Sequence, residues 1–135
     1  MERQIATTKS QSDRLLQCGV SAESAEMMIT PHNTLSTEAY KSVLKDRGYF
    51  PAFSLSALLG LLPFKIHSGN YGYWLDVAPM DYGKQWSIGY YCTEKPRVIK
   101  GLAHTDSLIE CAVLMVEWLV ANGYKLNGIE KGGQE

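Results

Sequence analysis

One stretch near the C-terminus constrains the fold more than any other feature of this chain. Between Ile109 and Ala121 the sequence has the length of a helix, and its only charged residues are Glu110 and Glu117. About two helical turns separate these residues, so their carboxylates lie on nearly the same side. Only a narrow stripe of the helix therefore suits water, and other parts of the protein have to cover the rest. The sequence predicts a central core helix over 107–121.

Both apolar faces of this helix need a cover. The first face suits a β-sheet and consists of Leu108, Ala112, Met115 and Leu119. The second face consists of Ile109, Val113, Val116 and Val120. Because monomers seldom expose large apolar patches, the second face has to pack on N-terminal helices or on a second copy of the chain. We favour the N-terminal helices and keep the second copy as the alternative. At the start of the helix, Ser107 and Glu110 form a capping-box pattern, and Thr105 is the other candidate cap.

Length and charge indicate one domain without a charged docking patch. With 135 residues the chain has the usual size of a single domain over 1–135, with a polar lead at 1–8 and a frayed tail at 127–135. The net charge is only -1 and no block of like charges occurs, so we expect neither nucleic acid nor an anionic membrane as a partner.

Cysteine usage favours a reducing compartment. The chain has an odd number of cysteines, Cys18, Cys92 and Cys111, and its first residues lack the apolar core of a secretion signal. The apolar run near the C-terminus is shorter than the roughly 20 residues that span a bilayer. We therefore expect a cytoplasmic protein that is not inserted in a membrane.

The segments before the core helix predict an antiparallel meander and several short helices. Alternating patterns favour strands at 64–67, 71–78 and 85–92, with a fourth edge strand at 97–100. Cap and breaker residues predict short helices at 12–18, 22–29 and 54–62, and helical spacing is weak over 35–47. The fold class is therefore α+β, with three or four antiparallel strands covered on one face by the C-terminal helix.

Aromatic residues are concentrated in this meander, where half of them lie. Tyr73 shares a strand face with Leu75 and Val77, whereas Trp74 lies on the other face with Asp76. Aromatic side chains are ordinary strand formers, so pairing within the sheet is the simpler interpretation. If some of the rings are exposed contacts for a partner, we expect them to be Tyr73, Trp74, Trp86 and Tyr91.

No pattern of polar residues indicates a reaction, a metal or a cofactor. An enzyme would require two or more of His67, Asp76, Asp81 and His104 to converge in a pocket, and these residues have no familiar metal-ligand spacing. No recognisable nucleophile signature surrounds any cysteine. We expect no catalytic residue, no metal and no cofactor.

Two patterns are compatible with a nucleic-acid-binding regulator. The segment 15–25 resembles a helix-turn-helix, although its second helix would present Glu23 and Glu26 to phosphates. The order of elements over 54–122 is similar to the double-stranded-RNA-binding fold, yet residues 104–107 lack the lysines that such proteins use. The charges argue against both functions, which remain an alternative.

A further resemblance extends over most of the chain. Its residues are 51–59 with Leu62 and Pro63, the Tyr73-Trp74-Leu75 triplet, and 106–108 continuing through Trp118 to Tyr124. In these segments the chain resembles small prophage and mobile-element proteins of gut Bacteroides-type bacteria, which carry no assigned activity. The resemblance implies a phage-derived cytoplasmic protein and no particular reaction. We therefore favour a non-enzymatic, self-associating interaction protein, with a nucleic-acid regulator and a small enzyme as alternatives.

Overall fold

The computed structural model describes residues 4–92, 94 and 99–127. Three α-helices occur in this part of the chain: α1 (Lys9–Gln17), α2 (Leu55–Leu61) and α3 (Leu108–Ala121). A small antiparallel sheet has the order β2-β1-β3 and consists of β1 (Met27–Ile29), β2 (Leu35–Ser36) and β3 (Phe50–Ala52). A larger antiparallel meander has the order β4-β5-β6-β7 and consists of β4 (Lys65–Ser68), β5 (Tyr71–Met80), β6 (Gln85–Cys92) and β7 (Ile99–Thr105). The predicted α+β class is confirmed.

Helix α3 is the core helix that the sequence predicts. Ser107 is its N-cap and accepts a hydrogen bond from the Glu110 backbone N–H, whereas the Thr105 hydroxyl bonds to the backbone of Ser107. The helix stops at Asn122, and Gly123 follows with a φ of 82°. Glycine adopts this left-handed conformation without steric penalty, which ends the helix as expected.

The chain itself covers α3. The helix contacts α1 and α2 as well as strands β6 and β7. Most of its apolar residues are buried, namely Ile109, Cys111, Ala112, Val113, Met115, Val116 and Leu119. Leu108, Leu114 and Trp118 are half-buried, and Val120 and Ala121 are exposed, Val120 to 38%. The second face is thus largely covered within the chain, although only α1 of the two expected N-terminal helices forms.

The two glutamates of α3 do not form the bare polar stripe that we expected. Helix α1 lies over them, and the Arg14 guanidinium donates to both Glu110 and Glu117 at 2.7 to 3.0 Å. Gln11 adds a hydrogen bond to Glu110 at 2.8 Å. Burial opposes ionisation of Glu110, but the bonds from Arg14 and Gln11 outweigh it and hold the pKa of that carboxyl below its usual value.

The meander matches the predicted strands and extends beyond them. Strand β6 has the predicted bounds, whereas β5 runs on to Met80 before a 3-10 turn at Asp81–Gly83. The fourth strand, expected at 97–100, runs instead over Ile99–Thr105, and positions 97 and 98 lie outside the described residues. A register shift opposite Gly89 and Tyr90 interrupts its pairing with β6.

The predicted second helix at 22–29 is wrong. Only a 3-10 turn, Ala22–Ser24, follows the Ser21 cap, and strand β1 comes next. The Glu26 carboxylate accepts hydrogen bonds from the backbone N–H and hydroxyl of Ser54, which ties this extended segment to the start of α2. Without a second helix the helix-turn-helix interpretation has no recognition helix, and it fails for the described structure.

The remaining corrections concern segments expected to be helical or loose. Over 35–47 the chain forms β2 and a 3-10 helix, Ser42–Arg47, instead of an α-helix. The polar lead is partly ordered, because Ala6 and Thr7 are buried and the Thr7 hydroxyl accepts from the Phe53 backbone N–H. At the other end, Asn127 bonds to three backbone carbonyls at the end of α2, and positions 128–135 lie outside the described residues.

Candidate interaction surface

The two faces of the four-stranded sheet differ sharply in exposure. Tyr73, Ile88 and Tyr90 belong to the face on which α3 packs, and they are buried. On the opposite face Trp74 is 44% exposed and Leu102 is 55% exposed. We call this second side the open face. Strand alternation and register assign to it Lys65, His67, Trp74, Asp76, Ala78, Met80, Gln85, Ser87, Tyr91, Leu102 and His104, of which Ser87 is buried.

Two glycines leave room for neighbouring side chains to lie low on the open face. A Cβ at Gly72 would lie 2.5 Å from Cε of Lys65, because the lysine stem crosses this position. A Cβ at Gly89 would lie 3.1 Å from Cδ1 of Leu102 and 3.4 Å from Cε1 of Tyr91. Larger residues at either position would push these side chains outward, so the glycines allow a low, continuous surface.

Apart from Met80 at the far end of β5, the exposed apolar groups of the open face form a band across all four strands. Lys65, Trp74 and Tyr91 are successive cross-strand partners on β4, β5 and β6, and Leu102 on β7 pairs with Gly89 in the next row. We call these four residues the apolar stripe, in which Lys65 contributes its hydrocarbon stem. The Lys65 ammonium lies 4.8 Å from the centroid of the Trp74 ring, which is within cation–π range.

The structure separates the four aromatic residues that the sequence singled out. Trp74 and Tyr91 are direct cross-strand partners on the open face. Tyr73 is only 5% exposed and belongs to the core, so the expectation that it is an exposed contact is wrong. Trp86 is half-buried on the covered face, and its carbonyl accepts from the Cys111 thiol at 3.2 Å. Alternation shows that Tyr73 and Trp74 point to opposite sides, but it does not show which side α3 covers.

Leu102 and Lys65 are members of the stripe that sequence reasoning missed. The fourth strand was expected to end at 100, which left Leu102 in a loop. Residues 102–105 are two apolar residues followed by two polar ones, so alternation gives no signal that would extend the strand. Nothing in the sequence alone indicates that Lys65 lies along Trp74, because this contact depends on the register of β4 against β5.

The residues that an enzyme would need do not converge. His67 pairs with Gly72, which is four positions from Asp76 along β5, or about 13 Å at the usual rise of a strand. His104 pairs with Ser87 and lies on β7, at the edge of the sheet opposite to β4. Asp81 lies in the turn after β5. In the described part of the chain, no group of three or more His, Cys, Asp or Glu residues is placed to hold a metal ion.

A shallow groove lies elsewhere, between the N-terminal segment and the β1–β2 hairpin. Its volume is about 590 Å³, and residues such as Thr7, Thr8 and Thr34 line it together with Ile29 and Leu35. None of the four residues proposed for acid–base chemistry lines this groove. The groove therefore provides hydroxyl and amide groups, and Lys9 is the ionisable side chain in its lining.

The three cysteines are all free thiols. Cys92 and Cys111 are buried, and Cys18 is half-buried at the end of α1. Burial raises the pKa of the Cys18 thiol, and the nearby Glu117 carboxylate raises it further. A raised pKa keeps a thiol protonated at neutral pH, which makes Cys18 a poor nucleophile.

Comparison with known proteins adds no assignment: no family model, curated protein or solved structure matches the chain. The resemblance to prophage proteins therefore stays a prediction. Among the described residues, no helix is both long enough and apolar enough to cross a bilayer.

Proposed function

We propose that this protein is a non-enzymatic interaction protein that associates with copies of itself through the open face of its four-stranded sheet. The observation that carries the proposal is the exposed apolar stripe. Trp74 and Leu102 are well exposed, and Tyr91 joins them across a glycine floor at Gly72 and Gly89. Exposed aromatic and aliphatic groups on a protein surface are typical of protein–protein contacts, in which tryptophan and tyrosine often contribute most of the affinity.

The sheet face is a better candidate than α3 for this contact. The sequence allowed self-association through the second face of that helix. Ile109, Val113 and Val116 of that face are buried within the chain, which leaves only Val120 partly exposed. The open face therefore offers more exposed apolar surface for a contact than α3 does.

The face is also a better candidate than the strand edges. Strand β4 has only four residues and carries Lys65 and His67. Strand β7 contains Gly101 with a φ of 62° beside the register shift, which bends that edge. Short, charged or bulged edges are the usual protection against edge-to-edge pairing.

We further propose that the protein works in the cytoplasm and derives from a mobile element. The absence of disulfides among Cys18, Cys92 and Cys111 supports a reducing compartment. The prophage origin rests on the resemblance described above.

Sedimentation velocity over a range of protein concentrations tests the self-association. We expect the wild type to form a reversible dimer, and Trp74→Ser to weaken it at least about 10-fold, because truncating a central tryptophan commonly removes more than 1.4 kcal/mol of binding energy. The matched control is Phe64→Ser, since Phe64 is 70% exposed and lies outside the open face. A wild type that stays monomeric at all concentrations, or equal weakening by both variants, would contradict the proposal.

A further inference from the structure

We infer that the self-association is a two-fold dimer in which Trp74 lies beside the symmetry axis and Lys65 of each copy forms an ion pair with Asp76 of the other. This inference rests on the proposed function and specifies the occupant of the open face. It follows from the positions of two opposite charges, Lys65 and Asp76, relative to the exposed Trp74 ring in the middle of the stripe.

The two charges flank Trp74 in different directions. Lys65 is its direct cross-strand partner on β4, but the lysine stem crosses Gly72, so the ammonium lies on the side of Gly72, two positions before Trp74 along β5. Asp76 follows two positions later on the same strand and points to the same side, about 7 Å along β5. Both side chains are exposed, and neither takes part in a salt bridge within the described residues.

Two-fold symmetry converts this arrangement into a complementary one. In such a dimer, a contact of residue i with residue j is always accompanied by the reciprocal contact of j with i. An axis that places Lys65 over Asp76 of the second copy therefore forms the same ion pair twice. Because Trp74 lies near the line that bisects the two positions, the same axis brings the two Trp74 side chains together between the ion pairs.

The charges also select against other face-to-face arrangements. An axis running along strand β5 would instead place Lys65 and Asp76 each over its own symmetry mate. Like charges that face each other across an interface disfavour the complex. The arrangement that places Lys65 over Asp76 of the second copy avoids this repulsion. The face also has no net charge from these residue types, because Lys65 and Asp76 are the only Lys, Arg, Asp or Glu residues in the set defined above.

Charge reversal with a mixing step tests the arrangement. Lys65→Glu gives a copy with only acidic groups at the two positions, and Asp76→Lys gives a copy with only basic groups. We expect each variant alone to dimerise at least about 10-fold more weakly than the wild type, since both ion pairs become repulsive. An equimolar mixture of K65E and D76K is expected to form a heterodimer, because both cross-copy pairs are then again of opposite sign.

The matched control is the mixture of Lys45→Glu and Asp46→Lys, two exposed changes in the 3-10 helix far from the sheet in sequence. These single variants are expected to dimerise like the wild type. Mass-labelled chains in native mass spectrometry distinguish heterodimers from homodimers, and circular dichroism verifies that each variant is folded.

The outcomes separate this inference from the proposed function. If the wild type dimerises and Trp74→Ser weakens it, but the K65E and D76K mixture shows no preference for the heterodimer, the ion-pair arrangement is overturned while the open face remains the contact. If the wild type does not dimerise, both proposals fail. If either charge variant does not fold, Lys65→Gln and Asp76→Asn replace the two charge reversals. The pairing is supported if each single change and the double change weaken the dimer to the same extent. Additive weakening contradicts it.

Discussion

At the scale of single residues, Gly101 shows how one position can depend on both backbone and packing. Its φ of 62° lies in the left-handed region, and a Cβ there would lie 2.7 Å from two ring atoms of Trp118. That ring is stacked between Tyr90 and Tyr124, with centroid distances of 6.5 and 5.7 Å, so it has little freedom to move away. Glycine is therefore required here for two separate reasons.

Replacing Gly101 should consequently cost more than replacing an ordinary left-handed glycine. We expect Gly101→Ala to lower the free energy of unfolding by about 3 kcal/mol, from backbone strain of about 1 kcal/mol and overpacking against Trp118 of about 2 kcal/mol. Gly83→Ala is the matched control, because Gly83 has a φ of 84° and nothing within 4 Å of its Cβ position. Urea unfolding measures both changes, and equal losses in the two variants would show that Trp118 does not restrict position 101.

The candidate surface is only partly visible in the sequence at this scale. Alternation places Trp74 and Tyr91 on strand faces correctly, but it treats Tyr73 and Trp86 in the same way. Which of the two faces is buried depends on where α3 packs, and that is a property of the tertiary structure.

At the scale of elements, the contact between α1 and α3 depends on a charged network. Arg14 reaches both Glu110 and Glu117 from one guanidinium, and hydrogen bonds to the two carboxylates, that to Glu117 foremost, raise the pKa of Arg14 above its usual value. All three side chains are partly exposed, so solvent screening limits their contribution to a modest one. The network chiefly fixes where α1 lies on α3.

This network predicts a dependence of stability on pH. The folded-state pKa of Glu110 is lowered, so its contribution is fully present above the unfolded-state pKa and is lost as the pH falls through the folded-state pKa. We expect Glu110→Gln to destabilise the protein by about 1 kcal/mol at pH 7 and to differ less from the wild type in acid. Chemical unfolding from pH 7 to pH 3 checks this. Glu38→Gln, an exposed change, should give a curve parallel to that of the wild type; a constant gap for E110Q would be the contrary result.

Elements with strong local signals could be predicted from the sequence, and elements that depend on distant partners could not. The caps Ser54 and Ser107 and the terminating Gly123 define α2 and α3 by local chemistry alone. The segment 27–29 contains residues that tolerate a helix, and it becomes a strand because β2 and β3 flank it. Secondary-structure propensity is a local property and does not reflect these long-range pairings.

At the scale of the whole molecule, part of the apolar surface is buried around α3 and part is exposed on the open face. Helix α3 is enclosed by α1, α2 and the covered face of the sheet. The open face carries the apolar stripe and two flanking charges without a cover among the described elements. We therefore expect a second copy to bind at the open face.

Oxidative footprinting of the wild type at increasing protein concentration tests this claim most directly, because it compares the faces of one unmodified protein. Hydroxyl radicals react with accessible aromatic side chains, and mass spectrometry locates the products. We predict that Trp74 and Tyr91 become protected as the concentration rises, while the exposed Phe64 and Tyr82 stay reactive. Unchanged reactivity of Trp74 across a range in which the protein demonstrably associates would contradict the account.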